Sequence, residues 1–384
     1  MRVTHVITRL IVGGAQENTI ASVLGLGRKP GLEVDLISGP TFGPEGTLQS
    51  AIAGARHQLT VVPSLVRPVA PWRDWRTLRA LTAIFRQRRP QIVHTHSGKA
   101  GVLGRLAAAR AGVPIRVHTI HGPSFGSFQG PAANWAFRFA ERRAGAVTTH
   151  FVVVAEAMKR QYLAAGIGRP ELYTKIYSGF PLEPYFHAQN KPQLRAELGL
   201  GPADVVVGKV ARLFKLKGHR DLLAVASDVV RRCPSVKFLL VGDGAWRARL
   251  EQRVRSLGLE QHFVFAGLVP PNEMPRWLGI MDILVHLSRR EGLPRALPQA
   301  LAAGRPVIAY DCDGAGEVCI DNETGFLVQA GDLLTLTQRL CELAADAELR
   351  RRLGNRGRKL VTDRFGVERM VDDLHQLYLR LAAQ

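Results

Sequence analysis

Glu291-Gly-Leu-Pro-Arg-Ala-Leu-Pro-Gln-Ala-Leu-Ala-Ala-Gly-Arg-Pro-Val307 is the segment whose residue types come nearest to chemistry. The apolar run Ile283–Leu287 before it reads as a strand. The loop Ser288–Gly292 then leads to a helix expected to open near Pro294, where proline fits the first turn. Backbone N–H groups at such a start point at the loop's ligand, and a diphosphate suits them. Glu291 at the rim is placed to accept hydrogen bonds from sugar hydroxyls. An ordinary strand–loop–helix connection with a solvated glutamate fits the same residues, so the segment alone does not choose.

A second feature is basic. The stretch Trp72–Arg89 is amphipathic at helical spacing, with Leu78, Leu81 and Phe85 on one side and Arg73, Arg76, Arg79 and Arg86 on another. It suits contact with an anionic membrane surface, and equally a core-facing helix with a solvated face. Trp135–Arg143 has the same character. The chain's net charge of +20 is uneven. Residues 1–182 hold 23 basic against 8 acidic side chains, and 183–384 hold 29 against 24. A basic half implies anionic partners such as phosphates, acidic headgroups or nucleic acid.

Hydrophobic pattern supplies the secondary structure around these residues. At 384 residues, two domains are expected. Val3–Thr8, Val34–Ser38, Leu59–Val62, Gln91–His94, Arg116–Thr119 and Phe151–Val154 are nearly continuous apolar runs, as in parallel strands covered on both faces. Helical stretches alternate with them over Ala15–Leu26, Trp72–Arg89, Lys99–Ala111, Ala132–Ala144 and Ala155–Ala165. The pattern restarts with strands Val205–Ala211, Val236–Val241, Phe263–Ala266, Ile283–Leu287, Val307–Ala309 and Phe326–Val328. Its helices are Gly218–Arg231, Ala245–Leu257, Pro294–Ala303 and Leu333–Leu343. The fold class expected is α/β, with two Rossmann-like, doubly wound parallel-sheet domains facing a cleft: 1–182 and 183–366. Cys233, Cys312, Cys319 and Cys341 have no CxxC spacing and read as reduced thiols of a cytoplasmic protein. No apolar run is long enough to span a bilayer, and Arg9 interrupts any signal-like start.

Taken in order and spacing, these motifs resemble the large GT-B family of retaining glycosyltransferases, family 4 (glycosyl transferases group 1). The resemblance spans essentially the whole chain. Glu291-Gly-Leu-Pro and the Ala-x-Ala-Ala-Gly-x-Pro-Val that ends at Val307 carry it, with Gly13-Gly14-Ala-Gln16, His94-Thr-His-Ser-Gly-Lys-Ala-Gly101 and His118-Thr-Ile-His-Gly122. Ala211-Arg-Leu-Phe-Lys-Leu-Lys-Gly218, Val241-Gly-Asp-Gly244, Phe265-Ala-Gly267 and Gly325-Phe-Leu-Val328 also fit. The resemblance implies that Arg212 and Lys217 neutralise a donor diphosphate, that Glu291 binds hydroxyls of the transferred sugar, and that His121 is the active-site histidine. It implies a donor site of Gly13, Gly14, Arg212, Lys217, Gly267, Glu291, Gly292, Leu293 and Gln299. From the basic character of this half, Arg73, Arg76, Arg79 and Lys99 are expected on the acceptor or membrane side. No cofactor is expected, and no metal, since no Asp-x-Asp pair suited to one stands in the motifs. The helix at about 367–384 is expected to cross back onto the N-terminal domain, as in relatives.

One departure is Gln299. It stands eight residues after Glu291, where the family usually has a second glutamate bonding the ribose, and an amide lacks the ionic strength of a carboxylate there. The expected partners are a nucleotide-sugar donor, taken as a UDP-sugar because those are the common donors of envelope polysaccharide assembly, and a lipid-linked or saccharide acceptor at an anionic membrane surface. That puts the protein in the cytoplasm, on the inner face of the membrane when attached, making envelope polysaccharide. The rivals are a nucleotide-sugar 2-epimerase of the same fold and a basic nucleic-acid-binding protein. No helix-turn-helix, zinc-knuckle or aromatic RNA platform supports the second, and no nucleic acid is expected as partner.

Overall fold

A computed structural model describes residues 1–41, 47–53, 59–126 and 128–384. The chain divides into two compact units, Met1–Phe180 with Val367–Gln384, and Pro181–Gly366.

In the first unit the described strands are β1 (Arg2–Ile7), β2 (Glu33–Ser38), β3 (Leu59–Val61), β4 (Ile92–His96), β5 (Ile115–Ile120), β6 (His150–Val153) and β7 (Tyr173–Lys175). They form one parallel sheet in the order β3-β2-β1-β4-β5-β6-β7. The burial of β4, complete along its length, explains its legibility as an apolar run despite two histidines. The helix Val367–Ala382 packs on the helix Gly14–Leu26. Gly25 makes room for it, since a Cβ there would lie 2.3 Å from Val371 Cγ2. Met370, Leu374, Leu377 and Tyr378 join Val3, Ile7, Ile92 and Val117 in one core.

In the second unit the described strands are β8 (Val205–Val210), β9 (Val236–Val241), β10 (Phe263–Gly267), β11 (Ile283–His286), β12 (Val307–Tyr310) and β13 (Gly325–Val328). Their order, β10-β9-β8-β11-β12-β13, is the doubly wound arrangement, with all neighbours parallel. Leu222, Val229, Phe238, Leu240, Val285 and Leu340 are part of its core.

In both sheets the strand order reverses once, between β1 and β4 and between β8 and β11. Ligands of open α/β sheets sit beyond the carboxyl ends of the strands at such points. The Gly13-Gly14 loop follows β1, and the Lys217 and Glu291 loops follow β8 and β11.

Sequence reading did not name β7 or the helices Ser50–Ala53, Glu183–Phe186, Pro192–Glu197, Met274–Gly279 and Ala347–Arg364. β7 is a three-residue edge strand, too short to show alternation. The helix Ala347–Arg364 contains Gly354 and Gly357, which look like breakers. Both are packing contacts instead. A Cβ on Gly354 would lie 2.1 Å from Gly304 O, and one on Gly357 2.4 Å from Leu301 Cδ2.

Candidate active site

In the C-terminal unit, β8 runs into the turn Ala211–Gly218. Gly218 is left-handed (φ +68), and a Cβ there would lie 2.0 Å from Leu287 O. Only glycine lets this turn close against the end of β11. The closure brings Lys217 to Glu291, 74 residues later, as an ion pair with both side chains 20% exposed. His286 Nε2 lies 3.3 Å from the same carboxylate oxygen. The backbone N–H of Glu291 donates to Asp313 Oδ2 (2.7 Å), which fixes the loop from below. Burial pushes the Glu291 carboxyl up, but His286 and the Lys217 charge outweigh it and hold the group well below the usual carboxylate range. Glu291 is therefore an ionised, acceptor-only group, the form that receives hydroxyl hydrogen bonds.

Arg212 lies on the same turn. It is exposed, with its guanidinium 5.2 Å from the Phe214 ring centroid. Gly267 ends β10 in a left-handed conformation (φ +73), and its carbonyl accepts from Gly242 N–H (2.8 Å). The Gly292 carbonyl accepts from Gly314 N–H (3.0 Å), and Leu293 is buried. Gln299 donates from Nε2 to the Tyr185 hydroxyl (2.9 Å).

One expectation needs correction. The helix carrying Gln299 spans Ala296–Ala302, so it opens two residues after Pro294. In a helix opening at Pro294 the donor to its carbonyl would be the N–H of residue 298, and Pro298 has none. Leu297 N–H bonds that carbonyl instead (3.3 Å), as a tighter turn before the helix.

Sequence reading missed Lys209, His286 and Asp313. The signal for the first two was a basic residue inside an apolar strand. Asp313 completes Asp311-Cys-Asp313, the single Asp-x-Asp spacing in the sequence, which the motif reading passed over. Asp313 holds the Glu291 backbone, while Asp311 accepts from Gln329 Nε2 (3.2 Å).

Lys209 on β8 is 2% exposed. Burial and the Lys217 charge lower its ammonium to about 7, against the pull of Asp221 and Glu291. An unfolded lysine titrates at about 10.4, so between the two values the unfolded chain binds more protons and this group's contribution to stability rises with pH. Lys209→Met is expected to stabilise the C-terminal unit at pH 7, with the gain shrinking toward pH 10. Equal gains at both pH values in chemical denaturation would refute a desolvated charge.

In the N-terminal unit Gly13 precedes the helix Gly14–Leu26 in extended backbone (φ 171). Nothing in its conformation demands glycine; the missing side chain leaves the backbone approachable. His121 follows β5. Its Nε2 lies 3.0 Å from His96 Nδ1, and His96 Nε2 lies 2.9 Å from His5 Nδ1. Tyr378 OH is 3.3 Å from His5 Nε2 and 2.5 Å from His94 Nδ1, and His94 Nε2 is 2.6 Å from Thr119 Oγ1. Ser97 beside this chain has φ 62 and ψ 163, a conformation nearly restricted to glycine and costing about 1–3 kcal/mol. It marks the point where the sheet order reverses.

Lys99, grouped by sequence with the exposed arginines, is tied down: its ammonium pairs with Asp74 and donates to the Pro68 carbonyl, and its side chain is 11% exposed. Arg73, Arg76 and Arg79 are exposed on the helix Pro71–Arg88, whose Leu81 and Phe85 are buried. Trp72 (67% exposed) stacks on Trp75, and Trp135 (69%) on Phe139. Arg79 and Arg143 lie over Trp75 and Phe139.

Two doubly wound parallel sheets, each with loops gathered at its reversal point, define a two-domain GT-B fold. The Anabaena protein HepE, solved with UDP and glucose, superposes with a TM-score of 0.82 at 21% identity over 99% of this chain and 100% of that one. Residues 190–360 match glycosyl transferases group 1, and residues 14–175 match the glycosyl transferase 4-like domain. The Bacillus subtilis protein EpsD is 30% identical over 300 residues, covering 75% of this chain and 76% of EpsD. An Escherichia coli enzyme, UDP-Gal:alpha-D-GlcNAc-diphosphoundecaprenol alpha-1,3-galactosyltransferase, is 29% identical over 83% of this chain and 82% of its own. The chain belongs to the group 1 glycosyltransferases and is a glycosyltransferase enzyme. Among the described residues no helix is long and apolar enough to cross a membrane.

Proposed function

We propose that this enzyme moves a sugar from a UDP-sugar to a lipid-linked or membrane-associated saccharide in envelope polysaccharide synthesis, with retention at the anomeric carbon. The observation that carries the reading is the Lys217–Glu291 pair, set over the left-handed Gly218 turn where the C-terminal sheet reverses. Similarity to an enzyme named for UDP-galactose and a diphosphoundecaprenol acceptor supports the choice of donor and acceptor.

In this reading the C-terminal unit binds the donor. Arg212 and Lys217 neutralise the diphosphate, with Lys217 exchanging its carboxylate partner for phosphate, and no metal is needed. Glu291, so released, accepts hydrogen bonds from the sugar. Gly267, Gly292 and Leu293 border the donor, and Gln299 bonds the ribose through its amide. From the N-terminal unit, Gly13 and Gly14 let backbone approach the phosphate, and His121 serves the sugar. The bond between the anomeric carbon and phosphate oxygen breaks with its electron pair leaving on the phosphate. The acceptor oxygen bonds that carbon on the same face, and its proton passes to the leaving phosphate. Cations fixed beside that oxygen stabilise the charge as it develops.

The N-terminal unit takes the acceptor at the inner face of the cytoplasmic membrane, through Arg73, Arg76, Arg79 and the exposed tryptophans. Charge complementarity to anionic lipid and the aromatic rings beside the arginines support this.

Thermal unfolding with UDP, GDP, ADP and a DNA duplex tests the donor site. UDP at about 100 times its dissociation constant is expected to stabilise by roughly 2.7 kcal/mol, and DNA not at all. Stabilisation by GDP or ADP alone would replace the donor, and by DNA alone would overturn the reading. Co-sedimentation with anionic vesicles at low salt tests the membrane face, and no binding there would remove it.

A further inference from the structure

Four histidines of the N-terminal unit lie on one continuous hydrogen-bonded path: His121–His96–His5–Tyr378–His94–Thr119. It starts at the end of β5, crosses β4 and β1, reaches the helix Val367–Ala382 at Tyr378, and returns through β4 to β5. His5, His94, His96 and Tyr378 are at most 1% exposed. Nitrogens of His5, His94 and His96 lie within 4.8 Å of one another, a grouping that could hold a metal ion. All six ring nitrogens of these three residues already have hydrogen-bond partners, so a metal would have to break the path.

A neutral imidazole donates from one nitrogen and accepts at the other. Burial, reinforced by the neighbouring histidines, keeps His94 and His96 well below the usual imidazole range. With neutral rings the path has two self-consistent states. If Tyr378 donates to His94, then His94 donates from Nε2 to Thr119. The phenol oxygen then accepts from His5 Nε2–H, His96 donates from Nε2 to His5, and His121 donates from Nε2 to His96. That leaves His121 Nδ1 as an acceptor. If Tyr378 donates to His5 instead, every donor reverses and His121 carries its hydrogen on Nδ1. The shorter contact of the hydroxyl is with His94 (2.5 Å against 3.3 Å), which favours the first state.

We propose that Tyr378 is a positioning residue: the direction in which its hydroxyl donates fixes, through His5 and His96, the tautomer of His121. A residue more than 250 positions away in the chain thus decides whether His121 Nδ1 accepts or donates a hydrogen bond. The consequence for turnover rests on the reading of His121 as the histidine that serves the sugar.

Histidine-labelled full-length protein, with ring nitrogens assigned by long-range proton–nitrogen NMR, tests this. In the wild type His121 is expected to carry its hydrogen on Nε2. His94→Phe removes the acceptor that holds the hydroxyl, which then turns to His5. Since a buried donor is not left unmade, the His121 tautomer ratio shifts by about tenfold or more toward Nδ1–H. His94→Leu, smaller, makes the same test should the first variant not fold. In a Tyr378→Phe background the His94 substitution no longer moves His121, which a merely structural disturbance would not explain. A His121 tautomer that ignores His94→Phe and His94→Leu, or one equivalent of bound metal in the purified protein, overturns the proposal. If the tautomer reverses, kcat is expected to fall while KM for the nucleotide-sugar holds. If it reverses and both stay unchanged, and His121→Ala is fully active, the relay stands and the role of His121 fails.

Discussion

Replacing Arg212 and Lys217 together with alanine is expected to lower kcat/KM by about 10³-fold, since removing a single preorganised donor at a developing oxyanion costs about 10²–10³. The two residues differ in what else they do. Arg212 is exposed and stacked on Phe214, so Arg212→Ala leaves the melting temperature unchanged and isolates the effect on the diphosphate. Lys217 also neutralises Glu291. Without it the carboxylate keeps only His286, and its pKa moves back up. The double variant therefore loses the stabilisation by UDP as well as turnover. Turnover within tenfold of wild type, with UDP stabilisation intact, would leave the diphosphate without its proposed partners.

Glu141→Ala is expected to cost the N-terminal unit about 3–5 kcal/mol, because it leaves a buried cation uncompensated. Arg105 is fully buried, and its guanidinium has three partners: Glu141 Oε2 (2.7 Å), the Gly101 carbonyl (2.7 Å) and Thr148 Oγ1 (3.3 Å). The other Glu141 oxygen accepts from Ser124 Oγ (2.7 Å) in the segment after His121. The loss corresponds to a fall of roughly 10 °C in the transition of that unit. Replacing both residues by apolar ones, Arg105→Met with Glu141→Leu, recovers most of it, since a well-packed apolar pair often equals a buried ion pair. A double-mutant cycle in thermal denaturation measures the coupling. A drop of under 2 °C for Glu141→Ala would mean that water reaches Arg105.

Lys217 and Glu291 each lie in a motif with recognisable local chemistry, a basic turn ending in glycine and a loop after a strand. Arg105 and Glu141 lie in no motif. Each reads as an ordinary charge on a helix, and only the packing of Gly98–Arg110 against Pro131–Ala146 puts them in contact away from water.

The alternation of strand and helix was legible in the chain, because parallel strands buried on both faces must be continuously apolar over a few residues. So were the glycine turns and the Glu291 loop, which are local. The strand order emerged with the folded molecule, and with it the meeting of the loops after β8 and β11 at one reversal point. So did the delay of the helix after Glu291 by Pro298, the clamp of that loop by Asp313, the neutralisation of Lys99 by Asp74, and the closure of a path of four histidines by Tyr378. The physical reason is the same in each case. A hydrogen bond or ion pair forms between side chains far apart in the chain, and their residue types carry no record of which distant partner removes them from water.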